Sequence, residues 1–195
     1  MDQIIYKFLS ERAHVVALLA KSWAALRKKQ HPKKRIALLL ANYPTKEGRI
    51  GNGVGLDTPA SVITILNALA QQGYSIDSIP DNGDKLIDAL LESVTNDLDT
   101  LSLRKCNQSI SVEDYLEFFH TLPKENQTAV IARWGEPQQS PKYRAGRLMV
   151  SGIRLGNVFV GIQPARGYNV DAAASYHDPD LVPPHDYLAF YYWLR

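Results

Sequence analysis

Two segments of this 195-residue chain carry residue types that could do chemistry. The first runs Asn42-Tyr-Pro-Thr-Lys-Glu-Gly-Arg-Ile-Gly-Asn-Gly-Val-Gly-Leu-Asp57. It follows a short apolar run, Ile36 to Asn42, that reads as a buried parallel strand, and it leads into a helix. Open α/β sheets place ligands at that point. Gly48, Gly51, Gly53 and Gly55 allow close backbone approach, and the N–H groups opening the next helix favour an anionic group. Gly51, Gly53 and Gly55 form G-x-G-x-G, but Leu56 stands where a dinucleotide fingerprint needs its third glycine. Asp57 would repel a pyrophosphate, and no Gly-Lys-Ser/Thr follows, which excludes a P-loop. A plain strand-to-helix turn accounts for the same glycines, and Asp57 is then first a helix cap.

The second segment contains Gln163-Pro-Ala-Arg-Gly-Tyr168, Tyr176-His-Asp-Pro-Asp180 and Pro183-Pro-His-Asp-Tyr187. His177 and His185 fall among several aspartates in one irregular stretch. Imidazole and carboxylate suit a divalent transition metal, and a neutral histidine can accept a proton near pH 7. The spacing His-x7-His is not a zinc signature. In the alternative, Asp178 and Asp186 are turn or cap residues, and His177 and His185 hold the loop by hydrogen bonds.

Helices and strands must position these segments. Apolar residues from Ile4 to Leu26 recur at helical spacing and predict an amphipathic helix from about Gln3 to Lys29. His14 lies among them as a helix-surface residue. After the first strand and its loop, Thr58 reads as an N-cap with Pro59 in the first turn. That helix closes at Gly73. Tyr74 to Ile79 reads as the next strand, completing a βαβ unit with a parallel pair. Asp81 or Asn82 caps a further helix. Asp97 to Gln108 reads as irregular. Ser111 with Asp114 opens another helix, ending near His120, and Lys124 to Trp134 forms one more, closed by Gly135. Pro137 to Arg144 reads as a linker. Gly156-Asn157 between two apolar runs marks a tight hairpin, and His185 to Arg195 reads as a terminal helix. The expected fold class is α/β: a Rossmann-like βαβ core with a parallel sheet, extra helices and a C-terminal β-hairpin region. The expected units are 1–32, an N-terminal amphipathic helix; 33–136, an α/β unit with the Gly-rich loop and a helical insertion; and 137–195, a hairpin, a long loop and a truncated terminal helix.

Composition narrows the class. Twenty-two basic and 20 acidic residues give a net charge of +2, too small to argue for nucleic acid. The basic cluster Lys28, Lys29, Lys33, Lys34, Arg35 reads as a solvated helix end and loop. A single cysteine, Cys106, excludes an intrachain disulfide and fits a reducing compartment. No apolar run reaches the ~20 residues of a membrane span, and no signal-peptide pattern opens the chain. A cytoplasmic protein with no membrane or nucleic-acid partner is expected. The terminal helix lacks a stop signal, so the expectation is a chain cut from a longer one.

Taken together, these motifs resemble the CobN family, the large subunit of aerobic cobaltochelatase, related to the H subunit of magnesium chelatase. The residues that carry the resemblance are Asn42-Tyr-Pro, Arg49-Ile-Gly and Gly55-Leu-Asp57 in the first loop. Arg133-Trp-Gly, Gly152-Ile-Arg-Leu-Gly-Asn-Val158, Gln163-Pro and Arg166-Gly-Tyr168 follow. Tyr176-His-Asp-Pro-Asp180, Pro183-Pro-His185, Tyr187-Leu-Ala-Phe190 and Trp193-Leu-Arg195 complete it. The Asn-Tyr-Pro and Gly-Leu-Asp forms look like the cobalt branch. The family also carries a His- and Glu-containing motif beyond the Leu-Ala-Phe helix, which this sequence lacks.

The resemblance implies a protein that binds a tetrapyrrole, in the cobalt branch hydrogenobyrinic acid a,c-diamide, and inserts cobalt as a substrate ion. ATP is hydrolysed by separate AAA+ partner subunits and is not bound here. On that reading His177 and His185 are the candidates for metal contact or for accepting pyrrole protons. Arg49 and Arg166 pair with peripheral carboxylates, Tyr168 stacks on a ring face, and Gln163 joins them. Asn42, Gly51, Gly53, Gly55 and Asp57 form the loop on one side of the cleft. Rival readings are a non-catalytic module that docks tetrapyrrole or a partner subunit, a fragment of a magnesium chelatase H-type subunit, and a generic nucleotide-binding α/β domain.

Overall fold

The computed structural model describes residues 7–43, 45–167, 178 and 180–195. Six helices and two three-stranded sheets are formed among them. In chain order these are α1 (Ser10–Lys28), β1 (Ile36–Leu40), α2 (Thr58–Gln71), α3 (Gly83–Leu91), β2 (Ser109–Ser111), α4 (Val112–Phe119), α5 (Lys124–Trp134), β3 (Tyr143–Arg144), β4 (Arg147–Met149), β5 (Gly152–Leu155), β6 (Val158–Ile162) and α6 (His185–Leu194). The mixed α/β class expected from the sequence is the one observed.

The first sheet has the order β1-β6-β5. β1 pairs parallel with β6, from Ile36 opposite Val158 to Leu40 opposite Ile162. β5 and β6 form the antiparallel hairpin turned by Gly156-Asn157, with Leu155 opposite Val158. Every residue of β6 is buried, because both of its faces are covered. Val158, Val160 and Ile162 join α2 and α3 in one core with Leu66, Leu86 and Leu90. Those three leucines are 0% exposed, and each contributes about 1.5–3 kcal/mol by burial. On the other face Phe159 meets Phe190 and Trp193 of α6.

One expected strand is absent. Residues 74–80 make no ladder, and the parallel partner of β1 is β6, much later in the chain. Ile76 and Ile79 nevertheless pack against the core. Their spacing reports one buried face, which an extended segment can supply without a neighbouring strand. The sheet is therefore mixed, and the βαβ unit predicted over residues 36–79 does not form.

The caps follow side-chain chemistry closely. Asp57 Oδ1 accepts from Ala60 N–H at 3.0 Å, so Asp57 takes the cap role ranked first for it, and Thr58, also read as an N-cap, is instead the first residue of α2. Asn82 caps α3 through Lys85 N–H at 2.9 Å, and Ser111 caps α4 through Asp114 N–H at 3.0 Å. Each satisfies a backbone donor the helix itself leaves open. Gly73, at φ +79°, ends α2 as expected.

The second sheet, β2-β4-β3, is antiparallel and packs on α4 and α6. Ile110, Tyr115, Phe119, Val130, Leu148 and Ala189 form its core. The expected linker at 137–144 belongs to this body: it holds a short 3-10 turn and β3, and Lys142 within it is 3% exposed. α1 differs from the other helices. None of its residues is buried, and Trp23 is 70% exposed. Its apolar stripe, expected to pack somewhere, has no cover among the described residues. No helix among those residues is long and apolar enough to cross a membrane.

Candidate functional site

The parallel pairing of β1 with β6 brings the two chemically promising segments together. β1 delivers the Asn42–Asp57 loop, and β6 delivers the segment beginning at Gln163. They leave the same C-terminal edge side by side, since Gln163 N–H donates to the Leu40 carbonyl at 2.9 Å. That edge is where open α/β sheets receive ligands.

The base of the first loop is fixed. Asn42 bridges to Ile50, Gly51 N–H donates to the Ala41 carbonyl at 2.7 Å, and Asn42 and Gly51 are buried. Gly51 has φ +70°, a conformation glycine adopts without strain. The tip points outward. Gly53, Gly55 and Asp57 are exposed, and Asp57 is committed to its cap. Val54 and Leu56 are 104% and 59% exposed. Arg49 is exposed beside them, with Asn52 Oδ1 at 3.5 Å. The loop therefore offers a cation beside bare apolar side chains.

Gln163 is exposed at the head of the second segment. Burial pushes the Tyr191 hydroxyl pKa up. Arg166 is half-buried and donates to the Leu181 carbonyl at 3.3 Å. Tyr168 and His177 lie outside the described residues. Among the described residues no three of His, Cys, Asp and Glu come together as a metal-ligand set.

His185 is placed differently from the chemical role its surroundings in the sequence suggest. It opens α6 but is 1% exposed. Its Nε2 lies 2.9 Å from the Gly135 carbonyl and its Nδ1 lies 2.7 Å from Tyr115 Oη. A carbonyl only accepts, so Nε2 carries the proton and Nδ1 accepts from the tyrosine. Both ring nitrogens are thus used within the protein. In this structure neither is open to a metal ion or a pyrrole proton, and the histidine ties its segment to α4 and to the end of α5. Burial holds its pKa below the usual value, against smaller upward pulls from the Gly135 carbonyl, Glu136 and Asp186. An unfolded histidine takes up a proton below pH 6.5, whereas the folded one stays neutral to lower pH. The unfolded state then binds more protons, so stability falls as pH drops from 6.5 towards the folded value. We expect the urea midpoint to fall across that window, and His185→Gln to show less of the fall. Identical pH profiles for the two proteins would reject this coupling.

Several residues that join the two loops gave no sequence signal. Glu47 pairs with Arg104, and its Oε1 also accepts from Thr95 Oγ1 at 3.1 Å. Asn96 Nδ2 donates to the Gln163 carbonyl at 2.8 Å. These are small or charged residues in polar stretches, whose composition matches that of solvated loops.

The fold is thus a mixed α/β one in which a parallel pair delivers two loops to one edge, with a cation and apolar tips exposed there. Over residues 1–195 the chain matches the family model described as CobN/Magnesium Chelatase, and it belongs to that family. It is 60% identical over 194 residues to the aerobic cobaltochelatase subunit CobN of Pseudomonas aeruginosa, covering 100% of this chain and 16% of that one. It is 29% identical to the H subunit of the magnesium chelatase of Chlorobaculum parvum, over 95% of this chain and 14% of that protein. The structure of the catalytic subunit of cobaltochelatase from Mycobacterium tuberculosis superposes with a TM-score of 0.80 at 38% identity, covering 97% of this chain and 16% of that one. The chain thus spans about a sixth of the length of these relatives.

Proposed function

We propose that this chain forms one wall of the tetrapyrrole-binding cleft in the metal-inserting subunit of an ATP-dependent cobaltochelatase. The observation that carries the reading is the junction of the two loops at the C-terminal edge of β1 and β6, closed by the hydrogen bond from Gln163 to Leu40. A tetrapyrrole is a flat apolar ring rimmed by carboxylate or amide groups. Exposed Val54 and Leu56 suit its face, and Arg49 suits a rim carboxylate. Arg166 and Tyr168 would complete the contacts from the second loop. His177 is the remaining imidazole candidate for presenting the metal or accepting pyrrole protons. The identity to a cobaltochelatase protein, about twice that to a magnesium-chelatase one, favours cobalt as the inserted ion. Hydrogenobyrinic acid a,c-diamide is the corresponding substrate. AAA+ partner subunits would supply ATP hydrolysis, and the assembly would act in the cytoplasm.

Insertion needs the ring held in place and its inner N–H proton accepted as the metal enters. In this proposal Arg49, Val54, Leu56, Arg166 and Tyr168 do the holding. Titrating the complete subunit with hydrogenobyrinic acid a,c-diamide, NAD and ATP tests it. We expect the tetrapyrrole alone to bind, and Arg49→Ala to weaken it roughly tenfold, as loss of one charge-assisted contact of ~1.4 kcal/mol would. A protein that binds a dinucleotide but no tetrapyrrole would overturn the proposal.

A further inference from the structure

Beneath the two loops lies a buried polar chain. Val94, Thr95 and Asn96, just after α3, are 0%, 0% and 3% exposed. Thr95 reaches the first loop through Glu47, and Asn96 reaches the second through the Gln163 carbonyl. Adjacent residues therefore touch both sides of the cleft. Asn96 Oδ1 in turn accepts from Lys142 Nζ at 2.9 Å. The same ammonium donates to Ser151 Oγ at 2.9 Å and lies 4.0 Å from Asp186 Oδ2.

Burying an ammonium costs several kcal/mol before its partners offset it, and an apolar side chain of similar volume would often be no less stable. What the charge adds is direction. An ammonium only donates, so the Asn96 oxygen must face it, and the Asn96 amide N–H is left aimed at the Gln163 carbonyl. Burial pulls the Lys142 pKa down, while the Asp186 carboxylate and, more weakly, Cys106 favour its charged form. Ser151 and Asp186 add an acceptor and a countercharge, fixing the Nζ that sets the amide.

We propose that Lys142 is a positioning residue. Through Asn96 it holds the Gln163 side of the cleft, while neighbouring Thr95 holds the Glu47 side, so that one buried clamp sets the spacing between the two loops. The ligand in this inference rests on the chelatase reading; the mechanics do not.

The experiment uses the complete subunit carrying Asn96→Asp or Thr95→Val. Asn96→Asp keeps the side-chain size and the acceptor for Lys142 but cannot donate to the Gln163 carbonyl. Thr95→Val keeps the shape but loses the donor to Glu47. Amide exchange is followed by mass spectrometry over segments 158–163 and 36–51, beside melting temperature and the Kd for hydrogenobyrinic acid a,c-diamide. We expect Asn96→Asp to speed exchange in 158–163 about tenfold and Thr95→Val to do the same in 36–51, with melting little changed. Each should raise Kd about tenfold, with less than a twofold change in kcat at saturating substrate. Lys142→Met should reproduce the Asn96→Asp exchange pattern. Unchanged exchange in the folded variants overturns the clamp whatever the ligand does, whereas altered exchange with unchanged Kd overturns the placing of the tetrapyrrole between these two loops. Should Asn96→Asp fail to fold, Thr95→Val alone decides the outcome. A wild-type protein that binds no tetrapyrrole, with exchange altered as expected, overturns the chelatase reading and leaves the clamp standing.

Discussion

Replacing His185 with alanine is expected to lower the free energy of unfolding by about 3–5 kcal/mol. Two buried polar groups lose their partner at once. The Gly135 carbonyl loses the Nε2 donor and Tyr115 Oη loses the Nδ1 acceptor, and each orphaned group costs about 1–3 kcal/mol. The imidazole also packs edge-on against Tyr115 and Phe119, with ring centroids 5.6 and 5.0 Å away. Tyr115 is 0% exposed and Phe119 2%, so the vacated space cannot readily fill with water. Burial, and secondarily the Asp186 carboxylate, raises the Tyr115 pKa, so the hydroxyl stays a neutral donor to Nδ1. Denaturant unfolding of the wild type and His185→Ala measures the effect. His185→Gln, whose amide can still donate to Gly135, should recover part of the loss. On the proposed chelatase reading, a complete subunit carrying His185→Ala should lose cobalt insertion only in step with its loss of folded protein. A variant as stable as the wild type but inactive would restore a chemical role for this residue.

The same residue shows how far sequence reasoning reaches. His185 is visible as an imidazole in an aspartate-rich stretch, and metal contact, proton acceptance and hydrogen bonding are all open to it. What chooses among them is Tyr115, on another helix and far away in sequence, and no local pattern announces it. Local structure is more legible. Ser111, Gly73 and the Gly156-Asn157 turn each act through a chemistry confined to a few neighbouring residues and can be read directly, and the cap of α3 narrows to Asp81 or Asn82, of which the structure uses Asn82. Pairing cannot. β1 looks like a strand awaiting a parallel neighbour, and Tyr74–Ile79 is the nearest apolar alternation. The real partner, Val158–Ile162, is recognisable as a strand, but alternation cannot tell which strands pair. The two loops emerge separately for the same reason, and their adjacency follows only from the β1–β6 register. Lys142 is the least visible of all. It sits in a stretch of Pro, Gln and Ser that reads as a linker, and burial of a lysine depends wholly on distant acceptors, here Asn96 and Ser151.

The second large effect is expected at Gly152, where the fold and the junction of the two loops cannot be separated. Gly152 begins β5 opposite Gly161 of β6. Its φ is +145°, a region nearly closed to residues with a side chain. A methyl group there would lie 2.5 Å from both the Phe159 ring and the Val160 carbonyl, and 2.8 Å from Gly161 Cα. Two of those three obstacles are backbone. The third, Phe159, is held by Trp193, with ring centroids 4.9 Å apart. Gly152→Ala therefore combines backbone strain with overpacking, each worth about 1–3 kcal/mol, for a total of about 3 kcal/mol or more. Gly161→Ala provides the contrast. It also crowds the Phe159 ring, at 2.5 Å, but its backbone is not in the positive-φ region. Its cost should be smaller, about 1–2 kcal/mol. Denaturant midpoints of the two variants measure the difference, and equal losses would show that crowding of Phe159, not the backbone of Gly152, dominates. The consequence for the two loops follows from connectivity. Ser151, next to Gly152, accepts from Lys142, and its carbonyl accepts from Ile162 N–H at 3.1 Å, one residue before Gln163. A displaced Gly152 thus disturbs the Lys142 ammonium from one side and the Gln163 strand from the other. Gly152→Ala should accelerate amide exchange over 158–163 beyond what its loss of global stability explains, whereas Gly161→Ala should accelerate it only in proportion.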